Sequence, residues 1–396
     1  MTESEDFRPS PDKRMRITTV IGCLAGGGAE RICVNLANAW VARGRHVTLL
    51  TIQQHSIPSA YAIDERVERR DIGWPRWAYS EELNARSIAA VIRGLQDAVS
   101  TGLFEQITLI AMLRHAILAT APDVVVTHLD RTNIQVLAAM HETGVPVVAH
   151  EHTDSTRVGL GRWQKARSVL YRRAHAVVAS HPATAEWFKR NGAPALAIPN
   201  PLVPPPPIGM ERKADRRRVV SLARLGPEKR VALLIRAFAI VAADFPEWDL
   251  DIYGEGVLRL ELARLAAHIV PGRVRFCGFT NCPYDVLREA DLFVSTSWVE
   301  GFGNSIWEAL ACGVPVIVTE CGAAVRSLVR HGIDGLIVLG SGNGLATALS
   351  SLMGDEPTRK AFAARAPEVL TRFSMESSLH SWDLLLESTK PHPNSR

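Results

Sequence analysis

The sequence lacks any apolar run able to cross a membrane. Its most apolar long window, 107–121, is interrupted by Arg114 and His115, and a spanning helix needs about 18 or more uninterrupted apolar residues. No Cys-x-x-Cys pair occurs among Cys23, Cys33, Cys277, Cys282, Cys312 and Cys321, and no Cys/His ligand set lies nearby, so no metal-site or redox-pair pattern is present. These cysteines sit in or beside apolar stretches, where a free thiol packs as a small hydrophobe, and a reducing cytoplasm is the expected compartment. Charge of one sign is also scarce. Lys and Arg number 45 against 41 Asp and Glu, a net +4, which gives no electrostatic footprint for nucleic acid. Neither a Gly-x-Gly-x-x-Gly fingerprint nor a Walker phosphate loop is present. No acidic residue closes a second strand, where a nicotinamide cofactor would need a ribose partner. Residues 1–14 are polar without an apolar h-region, and read as a disordered lead and not a signal peptide.

What is present is ordinary globular material: 396 residues, 47% apolar and 22% charged, enough for two domains. Short apolar runs alternate with segments of helical period. Strands are predicted at 17–21, 47–51, 124–127, 147–150, 176–179 and 196–198, then at 219–222, 250–253, 274–276, 292–295, 316–318 and 335–338. Helices are predicted at 231–243, 258–269, 305–312 and 345–353; in an earlier one, Ala29, Ile32, Cys33, Leu36 and Trp40 share a face. Such alternation predicts an α/β fold of parallel, doubly wound sheets covered on both faces. Six of the nine residues at 199–207 are proline, which forbids helix and inner strand and marks a boundary. The predicted organisation is a lead at 1–14, one Rossmann-like domain at 15–200, a Pro-rich and charged linker at 201–217, a second such domain at 218–370, and a final helix and tail at 371–396 carrying Trp382 and a leucine cluster. Ligands of open α/β sheets bind at the carboxyl ends of their strands, so the cleft between two such domains is the expected site.

Three segments carry candidate chemistry. Gly26-Gly27-Gly28-Ala29-Glu30-Arg31 opens a helix after the first strand; its glycines allow close backbone approach to an anion, or form only a tight turn. Arg224 and Lys229 follow a strand, where two cations can hold a diphosphate or lie solvated. Glu300-Gly-Phe-Gly-Asn-Ser-Ile-Trp-Glu308 places two carboxylates around a Gly-rich turn, groups suited to the vicinal hydroxyls of a sugar and a ribose. For Glu308, spacing alone favours a capping box with Ser305 as N-cap. His150, Glu151, His152 and Asp154 lie at a strand's carboxyl end, and the His-x-His spacing has no third metal ligand placed by the sequence. Asp249-Leu-Asp251 spells a metal-binding Asp-x-Asp, yet falls at or within a strand and reads as structural.

The Glu-x7-Glu segment with its Glu-Ala-Leu-Ala-Cys-Gly-Val-Pro tail, the Arg224…Lys229 loop and the early glycines together resemble retaining GT-B glycosyltransferases of family 4. The resemblance covers about residues 15–385. It implies two Rossmann-like domains facing across a cleft with the last helix docked back. It further implies transfer of a sugar from a nucleotide-diphosphate sugar, UDP favoured over GDP, to a hydroxyl of a glycan or lipid-linked glycan, with retention and without metal or cofactor. By the same resemblance Glu300 contacts the transferred sugar, Glu308 the ribose, and Arg224 and Lys229 the diphosphate. Backbone N–H groups of Phe302, Gly303 and Asn304 grip the donor, Gly27 and Gly28 close over the phosphates, and His152 lies beside the reacting sugar. His128, Asp130, Arg131 and His150 are acceptor-side candidates or fix their loop.

The segment 157–173 carries Arg157, Arg162, Lys165, Arg167, Arg172 and Arg173 without an acid, with Trp163, Val169 and Leu170 on one side. It reads either as a dock for anionic lipid at the inner membrane face or as a buried helix with a basic solvated face. Trp74, Trp77 and Tyr79 either meet an acceptor or pack. Competing readings are a sugar-nucleotide epimerase of the same fold and a non-catalytic nucleotide-sugar-binding protein.

Overall fold

The structure, a computed structural model, describes residues 14–53, 59–74, 106–154, 161–206 and 216–390. The lead at 1–13, Trp77, Tyr79, Arg157 and residues 207–215 of the predicted linker lie outside the described residues. The chain divides into two compact units: Met1–His150 with Gly161–Val177 and Leu384–Arg396, and Glu151–Leu160 with Val178–Asp383.

Thirteen strands are described, most of them short runs rich in apolar residues. The first sheet holds β1 (Arg16–Ile21), β2 (His46–Gln53), β3 (Glu68–Trp74), β4 (Val124–His128), β5 (Val147–Glu151), β6 (Ala176–Ala179) and β7 (Ala195–Ala197), in the order β3-β2-β1-β4-β5-β6-β7. The second holds β8 (Arg217–Leu222), β9 (Trp248–Tyr253), β10 (Val274–Gly278), β11 (Leu292–Ser295), β12 (Val316–Thr319) and β13 (Gly335–Val338), in the order β10-β9-β8-β11-β12-β13. All five pairings of the second sheet are parallel, as are β1–β2, β1–β4, β2–β3 and β4–β5 in the first. Both orders reverse beside the first strand of the unit, the doubly wound arrangement in which ligands bind beyond the carboxyl ends of the strands at the reversal. In the second sheet that point lies between β8 and β11.

The second unit closes on an apolar core. Helix Val231–Val241 turns Val231, Leu234, Ile235, Phe238 and Val241 inward at spacings of three and four, and these meet Trp248, Leu250, Ile252, Leu345 and Leu349. Each fully buried side chain of this size contributes about 1.5–3 kcal/mol, which fixes the sheet as a rigid base for its loops.

Asp249 and Asp251, on one face of β9, are bound by arginines. Asp249 accepts from Arg216 Nε at 2.5 Å and Arg273 Nε at 3.1 Å. Asp251, only 1% exposed, accepts from Arg218 Nη1 at 2.9 Å and from Arg275 Nε at 2.7 Å. Burial pushes the Asp249 carboxyl up, but the hydrogen bonds from Arg216 and Arg273 outweigh it and hold it below its ordinary value. The structural reading of the Asp-x-Asp therefore stands, because its oxygens are spent on cross-strand guanidinium groups. Asp251→Ala leaves Arg218 and Arg275 facing each other without a carboxylate. Both still reach water, so the expected loss is about 2–3 kcal/mol, read as a lower urea midpoint with nucleotide affinity retained.

Several expectations need correction. Strand β3 was not anticipated. Helix Arg162–Leu170 buries Trp163 and Leu170, which agrees with the second of the two readings of the basic segment, a buried helix with a basic face. Arg167 is itself 2% exposed and donates to Gln164 at 2.9 Å. Cys277 and Cys282 are exposed and do not pack as core hydrophobes, whereas Cys33 is buried and its thiol is pushed up to about 12 by desolvation. The final helix, Met375–Glu387, buries Trp382 and Leu386 completely while Leu384 stays exposed. No helix among the described residues is long and apolar enough to cross a membrane.

Candidate active site

In the second unit, the loops after β8 and β11 converge at the reversal of strand order. After β8, residues 223–226 lead into a single 3-10 turn, Pro227–Lys229. After β11, Thr296 Oγ1 donates to the carbonyls of Lys229 at 2.9 Å and Arg230 at 3.1 Å, and Trp298 N–H donates to the Glu228 carbonyl at 2.7 Å. These bonds tie two segments about seventy residues apart. At their junction Lys229 Nζ donates to Glu300 Oε1 at 2.6 Å, and Ser297 Oγ donates to the same oxygen at 2.6 Å. The side chains are 21% and 13% exposed, so the pair sits in a partly desolvated place where charge counts for more than in water.

Arg224 stands further out, 70% exposed, and donates to Glu228 Oε1 at 2.5 Å. Burial pushes the Glu228 carboxyl up, but a backbone hydrogen bond and the charge of Arg224 leave it net below its ordinary value. Each candidate diphosphate cation thus has a carboxylate partner of its own.

The turn after Glu300 is built by backbone necessity. A Cβ on Gly301 would stand 2.1 Å from the His152 carbonyl oxygen, so only glycine lets the two segments touch. Ser180 Oγ donates to the Gly301 carbonyl at 3.1 Å. Gly303 has φ of +92° and is the N-cap of helix Asn304–Ala311. That corrects the capping box: the helix starts at Asn304, Ser305 is not its cap, and Glu308 lies a turn inside, 4% exposed. Phe302 is 4% exposed and meets the Phe373 ring edge-on at 5.6 Å. Asn304 Oδ1 accepts from Asn200 Nδ2 at 2.8 Å, so the proline-rich boundary segment holds this turn.

His152 joins the same unit through its contact with Gly301. Burial pushes its imidazole down to about 3, so it is neutral near pH 7. Unfolded, the ring takes up a proton near pH 6.5. Stability is therefore complete above that pH and declines as pH falls from about 6.5 toward 3, by at most ~1.4 kcal/mol per pH unit. Between pH 7 and pH 5 the parent should lose about 2 kcal/mol more than His152→Asn, read from urea midpoints at the two pH values.

In the first unit the candidates are largely engaged in structure. His128 and His150 are wholly buried, with rings 5.2 Å apart, and His128 Nε2 meets Thr19 Oγ1 at 3.0 Å. Asp130 accepts from the Arg131 N–H at 2.7 Å, and the Arg131 guanidinium stands 5.7 Å from the Trp163 ring. Gly27 caps helix Gly28–Ala42. The Glu30 carboxylate folds back over that end, reaching within 2.2 Å of where a Gly27 Cβ would lie. The negative charge favoured at this helix start is thus already supplied by the chain.

The structure brings together Lys229 and Glu300, with Arg224 on the same loop as Lys229 and His152 against the Glu300 turn. Ser180, Asn200 and Ser297 were missed. The signal available for Ser297 was its place two residues past an apolar strand, in a Ser-Thr-Ser run.

Two doubly wound, Rossmann-like parallel sheets match the GT-B architecture of solved glycosyltransferase structures. The family model described as "Glycosyl transferases group 1" matches residues 216–355, and that described as "Glycosyl transferase 4-like domain" matches residues 27–201. The chain belongs to this family of glycosyltransferases. A C. jejuni relative, named as an α-1,4-N-acetyl-D-galactosaminyltransferase acting on a diphospho-undecaprenol-linked glycan, is 24% identical over 95% of this chain and 99% of its own length. A B. subtilis poly(glycerol-phosphate) α-glucosyltransferase is 30% identical over 44% of this chain. The chain matches 26%, 39% and 40% of the lengths of relatives from B. subtilis, S. coelicolor and C. jejuni. Among solved structures, S. aureus TarM with Fondaparinux, α-GlcNAc-glycerol and UDP is similar with a TM-score of 0.76 at 14% identity, covering 94% of this chain and 99% of that one. Anabaena HepE with UDP and glucose has a TM-score of 0.73 at 20% identity, covering 95% and 100%.

Proposed function

We propose that the protein transfers a sugar from a nucleotide-diphosphate sugar, UDP in preference to GDP, to a hydroxyl of a glycan or lipid-linked glycan, with retention and without a metal. The observation that carries this reading is the Lys229–Glu300 pair at the reversal point of the second sheet. A carboxylate for sugar hydroxyls and an ammonium for a phosphate are held there within one hydrogen bond. UDP is favoured because TarM and HepE were both solved with it, and a lipid-linked acceptor because of the C. jejuni relative.

In this reading the C1–O bond to the diphosphate breaks, leaving oxocarbenium-like charge on the sugar and negative charge on the departing phosphate. Lys229 and Arg224 stabilise that phosphate, in the place a divalent cation would otherwise take. Glu300 holds the sugar's hydroxyls, and the Phe302–Asn304 N–H groups and Glu308 hold the nucleotide. His152 offers a neutral imidazole beside the reacting sugar. The acceptor attacks from the face the diphosphate leaves, and its proton passes to a phosphate oxygen. Gly27 and Gly28 are assigned to the phosphates, and His128, Asp130, Arg131 and His150 to the acceptor. Peripheral attraction to anionic lipid would rest on Lys165 and Arg172, since the apolar side of their segment is buried.

Calorimetric titration with UDP, GDP and ADP, followed by incubation with the matching nucleotide-sugars, tests the reading. UDP binding, slow donor hydrolysis and an α-product from an α-donor are expected. Absence of nucleotide binding overturns it, and donor epimerisation without an acceptor replaces it with the epimerase.

A further inference from the structure

Arg230 has no assigned role, yet three unusual features converge on it. Its φ is +50°, a left-handed conformation that a residue bearing a Cβ adopts at a cost. Its guanidinium lies over the Trp298 indole at 5.0 Å, and Trp298 is 70% exposed, too exposed for burial to explain it. One guanidinium nitrogen donates to the Gly340 carbonyl at 2.8 Å. A Cβ on Gly340 would stand 2.6 Å from another, so a side chain at that position would displace the guanidinium from this seat.

We infer that Arg230 is a positioning residue: stacked on Trp298 and bonded to Gly340, it clasps the loops after β8, β11 and β13 and so holds Lys229 against Glu300. Lys229 is its chain neighbour, and Trp298 lies two residues before Glu300. The Thr296 hydroxyl, reaching the carbonyls of both Lys229 and Arg230, couples the clasp to the pair. The planar guanidinium suits stacking and directed donation at once, which a lysine ammonium does not.

The inference rests on the proposed transfer reading for its activity readout, so it is tested by two measurements. The first is hydrogen exchange of peptides covering 226–231 and 296–303 in the parent, Arg230→Gly, Trp298→Ala, Trp298→Phe and the Arg230→Gly/Trp298→Ala double variant. Glycine accepts the backbone angle, so Arg230→Gly keeps its global urea midpoint. Both peptides should nevertheless exchange about tenfold faster in Arg230→Gly and in Trp298→Ala, and near the parent rate in Trp298→Phe. The second measurement is steady-state sugar transfer. Its kcat should fall about tenfold in either disruptive variant with donor KM within threefold, no further in the double variant, and recover with Trp298→Phe. Unchanged exchange in both peptides, or singles whose effects multiply in the double variant, overturns the clasp. A parent protein that transfers no sugar overturns the functional reading and leaves the exchange result to decide the clasp.

Discussion

Glu300→Gln is expected to bind free UDP about fivefold more tightly than the parent, a gain of ~1 kcal/mol, while sugar transfer falls by about 10²–10³. The opposite signs follow from one geometry. Lys229 Nζ is held by Glu300 at 2.6 Å, so a diphosphate must compete with that carboxylate for the ammonium and also faces its negative charge. Free UDP carries no sugar to reward the carboxylate. If Glu300 holds the sugar as proposed, removing the charge helps the nucleotide and deprives the transferring sugar of its grip. Calorimetry with UDP beside turnover with a UDP-sugar separates the two. Parallel losses of UDP affinity and turnover would make Glu300 a prop for the loop.

The second large effect belongs to Lys229→Ala. Loss of a preorganised cation facing charge that develops on the leaving group costs about 3–4 kcal/mol, or roughly 10²–10³ in kcat, with a smaller effect on UDP binding. The phosphate gains charge only as the bond breaks, so the penalty falls on turnover more than on affinity. Arg224→Ala should act in the same direction. Its side chain is far more exposed and must first leave Glu228, so Lys229 carries the larger share. Stopped-assay turnover at saturating donor, with urea midpoints to confirm an intact fold, measures both. A tenfold rise in KM with unchanged kcat for Lys229→Ala would move its role from leaving-group stabilisation to plain binding.

The fold was legible because buried parallel strands are short apolar runs, and those at 292–295 and 335–338 agree with β11 and β13 to the residue. Strand β3 escaped because Glu68-Arg-Arg-Asp-Ile-Gly-Trp74 is charged and irregular. It occupies the sheet edge, where one side faces no neighbour and composition is not bound to the core. The first-turn assignment of Glu308 failed for a conformational reason. Gly303 in the left-handed region starts the helix before Ser305 can cap it, and spacing alone carries no φ. The residue types of the site were readable in the Glu300 and Lys229 segments, but their pairing was not, since nothing in sequence spacing joins positions 71 apart. Nor was the buried role of Asn200, whose proline neighbours look like a simple connector. Its amide bond to Asn304 is visible only once the strands are ordered in space.

The pairing of Lys229 with Glu300 and of Arg224 with Glu228 also bears on how an anionic donor arrives. Each of these two positive groups is matched locally by a negative one, so the pairs project little net field into solution and Arg230, held by a carbonyl and an indole, is the cation left on this loop. Long-range steering of the kind that speeds oppositely charged partners together is therefore weak. Donor association rates should change little between low and physiological ionic strength, and discrimination among nucleotides should be expressed in residence time.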